Sequence, residues 1–148
     1  MMSDRAGDLK MVVFLILTKR REDGKAEILL QRRQNTGYMD GKYDFSASGH
    51  LKNGESVDEA ICREAREELG IMVRNVECAM FLQGVREGYF KCVFQTEEWE
   101  GTPEIMEPDK CSELRWFRKD ELPEEEMIWY LPKVLSDIEE GRVLRVYK

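Results

Sequence analysis

The stretch that decides the fold is GHLKNGESVDEAICREAREELGI, which occupies residues 49–71. Its pattern predicts a helix over Ser56–Leu69. Ser56 and Glu59 form a capping box, in which the hydroxyl and the carboxylate accept hydrogen bonds from backbone N–H groups at the helix start. Four apolar residues spaced four apart give this helix a buried stripe: Val57, Ile61, Ala65 and Leu69. Gly70 follows in the position that most often ends a helix.

Three glutamates of this predicted helix lie on one face. Glu64, Glu67 and Glu68 are three and four positions apart, so their carboxylates are neighbours and repel one another. Hard carboxylate oxygens at this spacing suit Mg²⁺ or Mn²⁺, which neutralise the charge. Arg63 lies where it can orient carboxylates, and Gly49 permits a close backbone approach, so that its carbonyl can add an oxygen ligand. On the helical spacing alone, a solvated charged face remains the alternative.

The full pattern resembles the Nudix box: Gly, five residues, Glu, seven residues, then Arg-Glu-apolar-x-Glu-Glu-x-Gly-apolar. Every specified position is filled, by Gly49, Glu55, Arg63, Glu64, Ala65, Glu67, Glu68, Gly70 and Ile71. Chance agreement at one start point is about 10⁻⁸. The resemblance implies an α/β fold, namely an α/β/α sandwich with a mixed β-sheet, a box loop and helix over Gly49–Ile71, and a C-terminal helix. One departure is Ala47-Ser48 before the box, where many members have Pro-Gly or Gly-Gly.

The resemblance also implies a chemistry. Members of the Nudix family hydrolyse a nucleoside diphosphate linked to another group, with divalent cations (Mg²⁺ or Mn²⁺) held by the box helix. By position, the implied metal ligands are the carboxylates of Glu64, Glu67 and Glu68 and the backbone carbonyl of Gly49. Glu64, or a glutamate outside the box, can also act as a base toward water. Arg63 is placed with the catalytic residues, and with Glu55 it holds the loop and the helix together.

In many members one more acidic residue, on a loop well after the box, completes the metal site. Glu107 is the prediction for this chain, with Glu104 and Asp109 as rivals. An exposed loop acid without a role in the site is the alternative.

Two residues outside the box are candidates for contacts with a nucleotide. The stretch from Arg33 to Gly41 resembles a loop of some small bacterial members, and Asn35–Lys42 is predicted to be a loop from its Gly, Asn and Asp content. Arg33, like Arg32, lies where it can meet a phosphate, and Tyr38 lies where it can stack on a base. The alternatives are a solvated strand end and an exposed loop tyrosine.

Secondary marks favour a nucleoside triphosphate, cleaved to a monophosphate and pyrophosphate. Residues 99–103 read WEGTP and resemble a stretch of MutT-type nucleoside triphosphate pyrophosphohydrolases. Tyr89 lies where dinucleoside polyphosphate hydrolases often have a tyrosine, so a dinucleoside polyphosphate is the alternative substrate. A Nudix fold that binds a nucleotide without turnover is a further alternative, but such proteins usually lose box glutamates, and here all are present.

Composition bounds the class of protein. The chain has 148 residues, which fits one domain over residues 1–148, and its formal net charge of −7 argues against binding to nucleic-acid polymers. The longest apolar run, Met11 to Leu17, is far shorter than the roughly 20 residues of a membrane span. Four cysteines without a Cys-x-x-Cys spacing, beside a single histidine, disfavour a zinc site and predict reduced thiols in a cytoplasmic protein.

The other elements follow from periodicity and turn residues. Strands are predicted over Met11–Thr18, Ala26–Gln31, Tyr43–Ser48, Val73–Gln83, Gly88–Trp99, Leu114–Arg118 and Val143–Tyr147. An amphipathic helix is predicted over Glu124–Glu140. Within it, Met127–Leu131 is apolar at every position, which predicts either a homodimer surface or a helix packed on two sides.

Overall fold

A mixed β-sheet with a helix on each face forms the body of the structure, a computed structural model that describes residues 9–148. The first eight residues of the predicted domain over residues 1–148 lie outside the described residues. The elements in chain order are β1 (Lys10–Arg20), β2 (Ala26–Arg33), β3 (Tyr43–Asp44), β4 (Ala47–His50), α1 (Val57–Leu69), β5 (Met72–Arg74), β6 (Glu77–Gly84), β7 (Tyr89–Thr96), β8 (Glu98–Glu100), β9 (Cys111–Arg118), α2 (Leu131–Glu139) and β10 (Leu144–Tyr147).

β1 is the central strand, and its two ends have different neighbours. Along residues 10–17 it pairs in parallel with β7. On its other side, residues 12–15 pair with β4, whereas residues 18–20 pair with β2. β6 and β10 extend the sheet beyond β7, and β3 and β9 both pair with β2. The sheet therefore forks beside β1, with β4 on one branch and the group of β2, β3 and β9 on the other.

Alternate residues of β1 point to opposite layers, as the two-residue period of a strand requires. One set lies in the apolar cluster that includes α2: Val12, Phe14 and Ile16. The other set lies in the cluster that includes α1: Val13, Leu15 and Leu17. The continuous apolar run of β1 thus reflects burial on both faces, and the predicted α/β/α sandwich with a mixed sheet is confirmed.

The single strand predicted over Tyr43–Ser48 is wrong, because the chain changes partner at the fork and forms β3 and β4 instead. Ser46, which is fully buried, makes the crossing. Its backbone N–H donates to the Leu15 carbonyl at 2.9 Å, and its hydroxyl accepts from Leu17 N–H at 2.8 Å. The same hydroxyl donates to the Leu29 carbonyl at 2.6 Å. One serine therefore binds the central strand β1 and the β2 branch where the chain crosses to β4, which alternation of residues in the sequence does not reveal.

Two other predicted strands also divide. Val73–Gln83 separates into β5 and β6, and Gly88–Trp99 separates into β7 and β8. β5 and β8 then pair with each other as a small separate sheet. The division follows from the three-dimensional pairing, since each long stretch has to serve two sheets.

The helix predicted over Glu124–Glu140 is too long. α2 begins only at Leu131, and residues 124–126 form a short 3₁₀ turn before it. Between them Met127 is extended and residues 129 and 130 form a turn, and the N–H of residue 128 donates to the Tyr43 carbonyl at 2.8 Å. Four of residues 127–131 are buried in the α2 cluster, while Trp129 is 53% exposed. Most of the apolar run therefore packs into the core from the segment that leads into α2 rather than from a helix face, and the homodimer stays a prediction.

α1 begins and ends as predicted. Ser56 Oγ accepts a hydrogen bond from Glu59 N–H at 3.1 Å, and Glu59 Oε1 accepts one from Ser56 N–H at 2.8 Å. Gly70 has a φ of 67°, a left-handed conformation that glycine adopts without a steric cost. Among the residues that the structure describes, no helix combines the length and the apolar character that a bilayer crossing demands.

A buried ion pair attaches α2 to the edge strand β10. Asp137 is fully buried, and its two carboxylate oxygens accept hydrogen bonds from Arg145 at 2.5 and 3.0 Å. These bonds hold the pKa of Asp137 below its usual value. The folded carboxyl thus binds its proton more weakly than the unfolded one. The pair therefore stabilises the fold above about pH 4, and this effect is lost as the pH falls through the lowered pKa.

Asp137→Asn is expected to lower the free energy of unfolding by about 2 kcal/mol near neutral pH, because Arg145 loses its charged acceptor. Urea unfolding of variant and wild type at several pH values measures this difference, which is expected to shrink below about pH 4. Asp120→Asn is the control, since Asp120 pairs with Arg118 at the surface, where ion pairs add little stability. A difference that does not change with pH would contradict the role given to this pair.

Candidate active site

The box loop and the box helix meet at Gly49 and Glu64. Gly49 lies in β4 opposite Val13 of β1, and Glu64 on α1 is only 8% exposed. A Cβ atom added at Gly49 would stand 2.1 Å from the carboxyl carbon of Glu64. Because no side chain fits between them, the glycine lets the Glu64 carboxylate lie directly against the β4 backbone.

Arg63 joins the box loop to the helix. Its Nε and Nη2 atoms donate to the two carboxylate oxygens of Glu55 at 3.0 and 2.8 Å, and Nη2 also donates to the His50 carbonyl at 3.1 Å. Nη1 donates to Glu64 Oε1 at 2.6 Å and to Glu67 Oε2 at 3.2 Å. The hydrogen bonds from Arg63 lower the pKa of Glu55 to about 2. These contacts fix the loop to α1.

Glu68 lies on the side of α1 that faces the fork in the sheet. Its Oε1 atom accepts hydrogen bonds from Gln31 Nε2 at 3.1 Å and from Ser48 N–H at 3.2 Å. Burial, and then the nearby Glu64 carboxylate, raise the pKa of Glu68 to about 8. Both branches of the fork therefore bind one carboxylate. The sequence did not single out Gln31, because one polar residue near a strand end carries no spacing signal.

The loop between β8 and β9 brings Glu107 to the same place. Burial raises the pKa of Glu107, and the carboxylates of Glu64, Asp109 and Glu67 raise it further. Glu107 and Glu68 both line a cleft of about 150 Å³ at the fork. Its other lining residues are Gln31, Arg33, Thr36, Asp44, Ser48, Lys110 and Cys111.

Backbone hydrogen bonds along the end of α1 hold the start of this loop. Glu104 N–H donates to the Leu69 carbonyl at 3.0 Å, and Met106 N–H donates to the Glu68 carbonyl at 3.2 Å. Because residues 104–106 lie along the end of α1, Glu107 lines the cleft, whereas Glu104 does not. Glu107 is therefore the best placed of the acids considered from the sequence, and its part as a metal ligand stays a prediction.

Side chains of the loop between β2 and β3 hold the other end of the loop that carries Glu107. Gln34 Nε2 donates to the Pro108 carbonyl at 2.6 Å, and Asn35 Nδ2 donates to the Asp109 carbonyl at 3.0 Å. In return, Lys110 Nζ donates to the Asn35 carbonyl at 3.1 Å. The loop predicted over residues 35–42 thus supports the wall of the cleft.

Arg33 is bonded within the protein. Its Nε donates to the Tyr38 carbonyl at 2.7 Å, Nη1 to Asp44 Oδ2 at 2.6 Å and Nη2 to Thr36 Oγ1 at 2.9 Å. The guanidinium therefore shapes this loop as well as lining the cleft. Tyr38 is half exposed, and its hydroxyl accepts a hydrogen bond from Trp129 Nε1 at 2.8 Å. Contacts of Arg33 and Tyr38 with a nucleotide stay predictions.

The carboxylates gather at the site without closing around one point. Among residues 9–148, no three histidine, cysteine, aspartate or glutamate side chains stand together as a ready-made metal site. Arg63 holds Glu64 and Glu67, whereas Gln31 holds Glu68. The side chain of Glu67 is 43% exposed, and it is held by the ion pair with Arg63. Binding of a cation at a single point would therefore require these side chains to rotate.

A family model described as the NUDIX domain matches residues 9–138, which is most of the chain. The chain belongs to the Nudix family. The resemblance that the box predicted therefore extends over both helices and nearly the whole sheet of this Nudix fold.

Relatives and solved structures agree with this assignment. The chain is 32% identical over 102 residues to the NAD-capped RNA hydrolase NudC of Pseudomonas entomophila, a match that covers 66% of this chain and 34% of that protein. The chain thus spans about a third of the length of the NudC relatives it matches. A MutT NUDIX hydrolase from Burkholderia pseudomallei superposes with a TM-score of 0.74 at 23% identity, covering 88% of this chain and 98% of that one. A MutT mutator protein from Bacillus halodurans gives 0.71 at 25% identity, covering 95% and 91%.

Gly49→Ala is expected to lower the free energy of unfolding by about 1–3 kcal/mol, because the new methyl group overlaps the Glu64 carboxyl group. Gly84→Ala is the matched control in another strand. There the new Cβ meets only the free end of the Glu87 side chain, which can swing away, so the change is expected to stay within about 0.5 kcal/mol. Urea unfolding measures both, and equal effects would show that the Gly49–Glu64 contact is not tight.

Proposed function

We propose that this Nudix protein is a divalent-cation-dependent hydrolase that cleaves a nucleoside diphosphate linked to another group. The observation that carries the proposal is a group of four neighbouring glutamates, of which Glu68 and Glu107 line one cleft and Glu64 and Glu67 act on them by charge. Burial and mutual repulsion raise the pKa of Glu68 and Glu107, so their charges oppose folding. Carboxylates with raised pKa values in a cleft are typical of functional sites.

The donor set fits Mg²⁺ or Mn²⁺. The four carboxylates and the Gly49 carbonyl are hard oxygen ligands, which both cations prefer. The close packing of Gly49 on Glu64 also fits, because it leaves the carboxylate and the β4 backbone side by side. When bound, the cation would supply positive charge to the phosphate oxygens and to the attacking water.

The protein's own residues would position the reactants. Arg63 keeps Glu64 at the box loop, and Gln31 keeps Glu68 at the sheet. Lys110 lines the cleft next to Glu107 and offers ammonium protons to phosphate oxygens. A proton released by the attacking water needs an acceptor, for which we propose Glu64 or, outside the box, Glu107.

For the substrate we favour a nucleoside triphosphate, cleaved to a monophosphate and pyrophosphate. The WEGTP stretch at residues 99–103 supports this by resemblance to MutT-type enzymes. In the structure, Trp99 stacks on Trp116 with ring centroids 5.9 Å apart, and the stretch then leads the chain toward Glu107. The stretch therefore also helps to position the loop that carries Glu107, and this role does not depend on which base is bound.

A dinucleotide is the second candidate substrate. It is favoured by the NudC relatives, whose name describes hydrolysis of NAD-capped RNA. Tyr89 favours a dinucleoside polyphosphate, which is also a substrate with two nucleosides. A small nucleotide, rather than a polymer, remains the proposed substrate. A Nudix module that binds without turnover is disfavoured because no glutamate of the box is missing.

A substrate panel tests the proposed activity. Canonical and oxidised dNTPs, NTPs, dinucleoside polyphosphates, NAD, ADP-sugars and an NAD-capped RNA are incubated with the full chain, with Mg²⁺, Mn²⁺ or a chelator. Metal-dependent release of pyrophosphate from a triphosphate is the expected result. Preferential cleavage of NAD or of the capped RNA would move the assignment to the second candidate. Binding without product release on every member would overturn the hydrolase proposal.

Glu67→Gln is expected to lower kcat/KM by roughly 100-fold or more, because it removes a charge that the cation needs while keeping the size of the side chain. The Glu67 side chain is partly exposed, so the variant is expected to fold and to unfold like the wild type. Glu124→Gln, a change in an exposed acidic turn, is the control and is expected to keep full activity. Full activity of Glu67→Gln would remove this residue from the site.

Glu107→Gln and Glu104→Gln separate the acids on the late loop. Only Glu107 lines the cleft and lies near the box glutamates, so Glu107→Gln is expected to lower kcat/KM at least about tenfold. Glu104→Gln is expected to leave it unchanged, since Glu104 serves the loop through its backbone N–H. Steady-state kinetics over a range of Mg²⁺ concentrations measures both, and the reverse ranking would assign the role to Glu104.

A further inference from the structure

Two of the four cysteines meet on the neighbouring strands β6 and β7. The Sγ atoms of Cys78 and Cys92 are 3.1 Å apart, and both thiols are free. The strands pair antiparallel, with a register shift between Cys78 and Met80. This irregularity lets Cys78 reach toward Cys92, although Cys78 is paired with Phe94.

The two thiols have different surroundings. Cys78 is exposed, whereas Cys92 is 1% exposed and lies in the apolar cluster under α1. Burial, and then its hydrogen bond with Cys78, raise the pKa of the Cys92 thiol far above its usual value. Reagents from solution therefore reach the sulfur of Cys78 before that of the buried Cys92.

The other two cysteines lack such a partner among the described residues. Cys62 lies half-buried on α1, and burial raises the pKa of its thiol. Cys111 is buried in β9, and its thiol lies 3.3 Å from the Glu113 carbonyl. Neither has another sulfur within hydrogen-bond distance in the described part of the chain.

We propose that Cys78 and Cys92 form a reversible oxidation site, in which a hydroperoxide oxidises the two thiols to an intramolecular disulfide. Cys78 sulfur attacks the peroxide, the O–O bond breaks, and a sulfenic acid and one water form. Cys92 sulfur then displaces the hydroxyl group of the sulfenic acid, forming the S–S bond and releasing a second water. Two thiols are oxidised by two electrons, and one hydrogen peroxide is reduced to two waters.

Formation of this disulfide requires little movement of the two sulfur atoms. A disulfide bond is about 2.05 Å long, so the sulfurs approach by about 1 Å from their present separation. The two residues already lie on hydrogen-bonded strands, and the neutral product suits the apolar surroundings of Cys92. The new bond also closes the chain between residues 78 and 92 into a loop, which lowers the entropy of the unfolded state.

The test is thiol counting and peptide mapping on the full chain, reduced and then treated with hydrogen peroxide. The wild type is expected to lose two of its four thiols, to lose the mass of two hydrogen atoms and to yield a linked Cys78–Cys92 peptide. Dithiothreitol is expected to restore all four thiols. The melting temperature is expected to rise on oxidation and to fall back on reduction.

Matched variants keep the outcome specific to this pair. Cys78→Ser at the exposed position and Cys92→Ala in the apolar position are each expected to abolish the internal disulfide, whereas Cys62→Ser is expected to retain it. Four remaining thiols, a disulfide through Cys62 or Cys111, or a covalent dimer as the main product would overturn the proposal. The readouts are masses and thiols, so they stand apart from any hydrolase activity.

Discussion

One guanidinium group holds the candidate site together. Arg63 binds the carboxylates of Glu55, Glu64 and Glu67 as well as the His50 carbonyl, so it joins the start of the box loop, its end and the helix. Its nitrogens point in different directions in one plane, which the single ammonium of a lysine does not reproduce. Glu55, Glu64 and Glu67 therefore keep their places around the Arg63 guanidinium, although their charges repel one another.

The overall charge of the chain describes its surface rather than its cleft. A formal net charge of −7 suggests poor binding of anions, yet the acids that matter are those concentrated beside the fork. There burial and repulsion raise the pKa of Glu68 and Glu107, a condition that the proposed cation would relieve. A residue count carries no such information, because it does not say which charges share a dielectric environment.

The sequence predicted local features well and distant ones poorly. The capping box, the Gly70 stop and the spacing of the glutamates depend on neighbours within one or two turns, and they appear in α1 as expected. The break between β3 and β4 depends on Ser46, whose partners are far away in the chain. The binding of Glu68 by Gln31 also joins distant segments. No periodicity within one segment encodes such contacts, so only the folded chain reveals them.

The fork in the sheet has a thermodynamic consequence. β4 and the β2 branch are separate beside β1. Ser46 hydrogen-bonds to β1 and to Leu29 of β2, and the Glu68 carboxylate accepts hydrogen bonds from both branches. Most residues that line the cleft lie on strands of the sheet and on α1, so these parts of the cleft are preorganised. A ligand that enters it orders few flexible segments, so little of its binding free energy is spent on conformational entropy. Differences in affinity among ligands should then report mainly on the fit of their polar groups.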